Sequence, residues 1–232
     1  MIVLVGVAHV IDVSQQIGQL VSYYSPGAVG VELDPSRYQA LRDGERSSNV
    51  PLAYRLLSLM QRRLAEQFGG EVGAEMLAAV EAARANNAQV VFVDKDAGRM
   101  FGSLLQRMTL KERVLMVVSS VSGLFMSRKR VERELKEFQE NEEAYMEVMA
   151  REYPTVKRVL IDERNEHMAQ AILRAEGEHG SVLAVIGDGH VEGIRRILAR
   201  EDLVSYRLKD LRDLRLPSKG GNAEVSFSFT LG

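Results

Sequence analysis

Two stretches of this chain place a histidine three residues after a glycine where an apolar run ends. They are Gly6-Val7-Ala8-His9 and Gly187-Asp188-Gly189-His190, each followed by a valine and a helical pattern. They lie near opposite ends of 232 residues, so local repetition does not explain the echo. A glycine after a strand lets the backbone turn tightly. The histidine three positions on then stands at the carboxyl edge of a parallel sheet, where open α/β folds bind ligands. Two further apolar runs end in acids, Val31-Glu32-Leu33-Asp34 and Val93-Asp94-Lys95-Asp96. If these strands are parallel, two imidazoles and several carboxylates converge. His9 and His190 with one of these carboxylates then form the donor set of a two-histidine, one-carboxylate site with open positions, suited to a divalent transition metal such as Mn, Co, Zn or Fe. An ion there would lower the pKa of a bound water towards about 7. The plainer readings are a structural histidine and a helix-capping acid, as Asp34 before Pro35 suggests.

Short apolar runs bounded by turn signals predict the strands that carry these residues: Ile2–Gly6, Ala28–Glu32, Gln89–Asp94, Val182–Gly187 and Val204–Leu208. Helical patterns alternate with them. Asp12 or Ser14 caps a helix with Val13, Ile17, Leu20, Val21 and Tyr24 on one face, and a second helix follows Asp34-Pro35. Pro51–Phe68 and Val72–Asn87 read as two more. The alternation predicts an α/β fold with a mostly parallel central sheet flanked by helices. From about Ala97 to Tyr153 the pattern is helical throughout, with pieces at Met100–Met108, Thr109–Phe125 and Arg128–Tyr153. The expected organisation is a core of residues 1–97 and 154–215, a helical insertion at 98–153, and a linker with a C-terminal edge strand at 216–232. That strand rests on Val225, Phe227, Phe229 and Leu231 alternating with polar residues. The narrow apolar stripe of the insertion and this strand both offer surfaces for a homodimer.

Composition narrows the chemistry. There is no cysteine, so thiol catalysis, disulfides and thiolate metal sites are excluded, and metal ligands must come from 4 histidines and the carboxylates. A formal net charge of −2 argues against nucleic acid as the default partner. The opening residues lack the basic start of a signal peptide, and the apolar stretch Val114–Met126 is too short to span a bilayer. A cytoplasmic protein with no membrane partner is the expectation.

Taken in order, several blocks resemble the TraB/PrgY/TIKI family. They are Gly6-Val7-Ala8-His9; Val31-Glu32-Leu33-Asp34 with Arg37 and Leu41; Gly73-Ala74-Glu75-Met76 with Ala79 and Ala82; Asp162-Glu163-Arg164-Asn165; and Gly187-Asp188-Gly189-His190. The likeness covers roughly residues 1 to 200, within a wider superfamily that includes haem-binding and erythromycin-esterase-like proteins. It implies an α/β fold, metal-dependent peptidase-like activity, and a site containing His9, Glu32, Glu75, Arg164, Asn165 and His190. Lys95 departs from the arginine usual in the family, and the membrane segments of many relatives are absent. Within such a site Glu75 is a candidate general base or a positioning carboxylate. Arg164 suits a developing oxyanion or a substrate carboxylate, or else pairs with Glu32 or Glu75.

Three other readings use the same residues. Gly187-Asp188-Gly189-His190-Val191-Glu192-Gly193 resembles a dinucleotide fingerprint, but no acid ends the following strand. A histidine could activate water without a metal, as in an esterase. The cleft could instead bind haem, a peptide or another ligand without catalysis. His167 reads as a surface partner of Glu163, and His179 as part of a loop.

Overall fold

The fold was analysed in a computed structural model, which describes residues 1–8, 12–43, 73–115, 142–214 and 216. Among the described residues five strands form one sheet: β1 (Ile2–Val7), β2 (Ala28–Val31), β3 (Gln89–Phe92), β4 (Val182–Gly187) and β5 (Val204–Tyr206). Their order is β3-β2-β4-β1-β5, and every pairing is parallel. β1 and β4 are therefore neighbours, with Gly6 opposite Ile186 and Val7 opposite Gly187. The two strands that carry the glycine–histidine motifs lie side by side, although most of the chain separates them.

Period-two alternation feeds two cores. Val3, Val5, Val29, Val31, Leu183 and Val185 face one layer. That layer contains Ile17, Leu20 and Val21 of α1 (Ser14–Tyr24) and Met76, Ala79, Val80 and Ala83 of α3 (Ala74–Ala85). Ile2, Leu4, Val182, Ala184 and Ile186 face the other. There they meet Met168 and Ile172 of α7 (Glu163–His179) and Val191 and Ile194 of α8 (Asp188–Leu198). Strands buried on both faces carry continuous apolar runs, which is why those runs were legible. Burying each Leu- or Ile-sized side chain contributes about 1.5–3 kcal/mol, so these two layers hold the sheet edge in place.

The connection after β2 runs towards β3 through α3, while the one after β4 runs the other way towards β5 through α8, on the opposite face. β2 and β4 are paired. A crevice thus opens between their carboxyl ends, the place where doubly wound sheets bind ligands.

α2 (Pro35–Asp43) follows β2, and Asp34 caps it, accepting bonds from the N–H groups of Ser36 and Arg37. Met100, Phe101 and Leu104 of α4 (Ala97–Arg107), together with Met108, pack against Val159 in a small separate core. α5 (Glu142–Glu152) ends before Pro154, which opens α6 (Pro154–Lys157). A π-helical turn, Arg158–Asp162, joins α6 directly to α7. The short α9 (Leu208–Arg212) follows β5.

The structure shortens several expected elements. β2, β3 and β5 leave the sheet before Glu32, Asp94 and Leu208, so both acids belong to the turns that follow. The helix expected to run unbroken to Tyr153 stops at Glu152, and its residues 128–141 lie outside those described. His179 is the last residue of α7 rather than part of a loop, because Gly180 at φ +77° supplies the left-handed cap one position later. The helices expected at Pro51–Phe68 and 116–125, and the C-terminal strand, also lie outside the described residues.

Candidate functional site

At the carboxyl edge Arg164, in the first turn of α7, is the hub. Its Nε donates to Asp94 Oδ1 at 3.0 Å and its Nη2 to Asp94 Oδ2 at 2.9 Å, a bidentate fork. Nη2 also donates to Glu32 Oε1, and Nη1 to the carbonyl of Leu160 at 3.3 Å in the π turn. The last N–H, on Nη1, meets His190 Nε2 at 3.0 Å. All five N–H groups of the guanidinium thus have protein acceptors. Burial alone would lower the pKa of Arg164, but the carboxylates of Glu32 and Asp94 outweigh it and hold the group above its ordinary value.

Because Nη1 can only donate, His190 Nε2 must accept. The proton of a neutral ring then sits on Nδ1, which lies 2.7 Å from Asn165 Oδ1 and donates to it. The two bonds assign the tautomer together. Burial pushes the pKa of His190 down, with Glu32 opposing and Arg164 adding to the effect, so the ring is neutral at pH 7. Glu32 accepts from Gly187 N through Oε2, and its Oε1 lies 3.7 Å from His190 Nε2.

Glycines make this packing feasible. A Cβ on Gly193 would stand 2.1 Å from Asn165 Nδ2, so α8 comes this close to α7 only without a side chain there. A Cβ on Gly6 would stand 2.3 Å from Asp188 Oδ1. That carboxylate sits in the first turn of α8 and is held by Arg207 Nε at 2.9 Å, Arg207 Nη2 at 2.8 Å and Leu208 N at 2.8 Å.

The residues expected in the site divide as follows. Glu32, Arg164, Asn165 and His190 come together in one buried cluster. Glu75 is buried in the first turn of α3 after Gly73 (φ +87°), but the bonds of Arg164 and of both His190 nitrogens go to other groups. Of the partners open for Arg164, the structure pairs it with Glu32. His9 lies outside the described residues. Asp94 had been noted only as a strand-end acid, yet it is the bidentate partner of Arg164 and also accepts from Arg37 Nη1 at 3.2 Å. His167 is half-buried rather than at the surface, with a lowered pKa from burial and then from Lys95.

Among the described residues no group of three histidine or carboxylate side chains is placed to hold an ion. The donor chemistry of the pair nevertheless fits one. His190 anchors Nδ1–H on an amide oxygen, as a ligating histidine does, and Nε2, which accepts from Arg164 here, would turn its lone pair to an ion once that arginine withdraws. Two ligands on one ion stand roughly 3.4 Å apart when each bond is about 2.0–2.2 Å, close to the separation of Nε2 from Glu32 Oε1.

The fold and site together define a doubly wound parallel α/β protein with a buried histidine–arginine–carboxylate cluster at its topological switch point. Residues 1–203 match the TraB/PrgY/gumN family, and the chain belongs to that family. It is also similar to an uncharacterized protein of Methanocaldococcus jannaschii, with 30% identity over 213 residues, covering 86% of this chain and 53% of that protein. The chain thus spans about half the length of this relative. Among the described residues no helix is long and apolar enough to cross a membrane.

Proposed function

We propose that this protein is a hydrolase of peptide-like acyl substrates, using a divalent transition metal held by His9, Glu32 and His190. The observation that supports this best is the neutral His190, whose Nδ1–H is locked by Asn165 while Nε2 stands 3.7 Å from Glu32 Oε1. When bound, the ion supplies a water ionised near neutral pH. The chain's own groups do the rest. Asn165 fixes the imidazole, and Glu32 brings negative charge that Arg164 balances. Arg164 keeps its fork to Asp94 when it releases Glu32 and His190, and the freed N–H groups then serve an oxyanion. Glu75 is the candidate base at the same edge.

A second reading is favoured by one feature: the guanidinium already bonds both donors. In that version Arg164 withdraws from Nε2 in the working enzyme, and the freed lone pair takes a proton from water without a metal. Metal analysis of the purified protein beside His9→Ala and His190→Ala, with peptide and ester hydrolysis assayed before and after chelation, separates the two. A stoichiometric ion lost in both variants, with activity lost on chelation, is the expected result. Hydrolysis that survives chelation refutes the metal; none from the metal-replete wild type refutes the hydrolase.

A further inference from the structure

On the outer side of Asp94 lies an open pocket of about 390 Å³, within the size range of small-ligand sites. Met100 and Val159 give it an apolar floor, and Lys95, Arg99, Ser103 and His167 are polar groups on its walls. It borders the cluster described above, because Asp94 lines the pocket and takes the fork of Arg164, which in turn bonds His190. A molecule held against Asp94 is separated from the imidazole by that residue and Arg164.

The charges around the pocket are unevenly matched. Every carboxylate in its wall is engaged. Asp94 serves Arg164 and Arg37, and Asp96 caps α4 by accepting from Arg99 N at 2.7 Å. Glu163 is shared by Arg107 at 2.8 Å, Arg158 at 3.5 Å and Lys95 at 3.7 Å. Lys95 is thus the most distant of three cations on one carboxylate. The guanidinium of exposed Arg99 has no ion-pair partner among the described residues. His167 feels the same positive field: burial first and Lys95 next disfavour its charged form. It therefore offers a neutral ring that can donate or accept.

We infer that this pocket is a substrate subsite that receives a carboxylate of a peptide-like ligand between Lys95 and Arg99, with the ligand's carbon chain on Met100 and Val159. The carboxylate comes from an acidic side chain or from a peptide's carboxyl terminus. What happens to the bound ligand rests on the hydrolase reading; the binding does not.

Isothermal titration calorimetry with three probes tests this. They are N-acetyl-glutamic acid α-amide, with a side-chain carboxylate; N-acetyl-alanine, with a terminal one; and N-acetyl-glutamine amide, with none. At least one carboxylate probe should bind about tenfold or more tighter than the neutral probe, as charge-assisted hydrogen bonds imply, and which one binds better identifies the source. The double variant Lys95→Gln/Arg99→Gln should lose this preference while keeping the wild-type circular dichroism and melting temperature. Equal affinities, no binding of either carboxylate, or a preference that survives the double variant overturns the subsite. Hydrolysis indifferent to substrate charge defeats this inference alone. Carboxylate binding by a protein that hydrolyses nothing defeats only the hydrolase reading.

Discussion

Replacing Arg164 with methionine tests the hub directly. The substitution preserves much of the stem's volume but removes five donated hydrogen bonds and the positive charge between Glu32 and Asp94. Side-chain exposure is 12% for Arg164, 7% for Glu32 and 1% for Asp94, so solvent screens little of the loss. Breaking a buried pair by removing one partner costs about 3–5 kcal/mol. Here one cation serves two carboxylates, so the upper half of that range is expected. For a chain of this size, each kcal/mol lowers Tm by about 2–4 °C, giving a fall of roughly 8–20 °C at pH 7. The deficit must also depend on pH. Without the guanidinium the two neighbouring carboxylates repel, and a proton taken up by the cluster in the folded state relieves that repulsion. The folded variant then binds more protons than its unfolded chain, so its stability relative to wild type improves as pH falls. Protonation of His190 beside Glu32, no longer opposed by Arg164, acts in the same direction. Thermal melts of both proteins at pH 8 and pH 5, followed by circular dichroism, measure the gap. A drop of less than about 3 °C, or the same drop at both pH values, refutes the assignment of Arg164 as the charge that holds the cluster together.

Two further substitutions probe the tautomer of His190 and a separate buried carboxylate. Gly193→Ala drives a Cβ into the amide of Asn165, so the Nδ1–H resonance of His190 should shift or broaden in NMR spectra, whereas Gly18→Ala in α1, with nothing within 4 Å, should leave it unchanged. An unaltered His190 signal in Gly193→Ala would show that Asn165 does not set the tautomer. Glu112 is buried and joins two helix starts, accepting from Thr109 N and Oγ1, both at 2.9 Å, and from Thr155 N at 2.7 Å. Burial works to raise its pKa, but these donors outweigh it and hold the pKa below the ordinary value. Its contribution is therefore present above the unfolded value of about 4.3 and fades as pH falls through the lower folded value. Glu112→Gln should cost about 1–2 kcal/mol at pH 7, read as a denaturation midpoint, and the cost should shrink on acidification; a constant or growing cost contradicts the assignment.

The strands were legible because β1 and β4 are buried on both faces, which permits nothing but apolar runs such as Ile2–Val5 and Val182–Ile186. Glu32 and Asp94 were visible as the first acids after such runs. Their division of labour was not, since a bidentate fork from a residue 70 positions away from Asp94 leaves no local pattern. The contact of Asn165 with Gly193 was equally hidden, because a glycine inside a helix reads only as a weak helix former until a second helix is seen against it. Glu112 could have been found. Thr109-Leu110-Lys111-Glu112 has the spacing of a capping box, and the reciprocal bonds of Glu112 N to Thr109 Oγ1 and of Thr109 N to Glu112 Oε2 bear it out.

The repeat of glycine and histidine acquires its meaning from strand order. A pattern read along the chain places Gly6 and Gly187 almost as far apart as the chain allows, whereas the sheet places Val7 opposite Gly187. The two glycines also serve different neighbours. Gly6 leaves room for Asp188, which ties the start of α8 to Arg207 and Leu208, while Gly187 donates its N–H to Glu32. The first motif thus fixes the helix on which His190 stands, and the second fixes the carboxylate that faces it. A Cβ on Gly6 would displace Asp188 and with it that helix, whereas one on Gly187 would press on Glu32 Oε2 at 3.2 Å; either change reaches the same imidazole, although neither glycine touches its nitrogens. The histidine of the second motif depends on the glycine of the first because β1 and β4 pair, and a repeat confined to one segment could not supply that dependence.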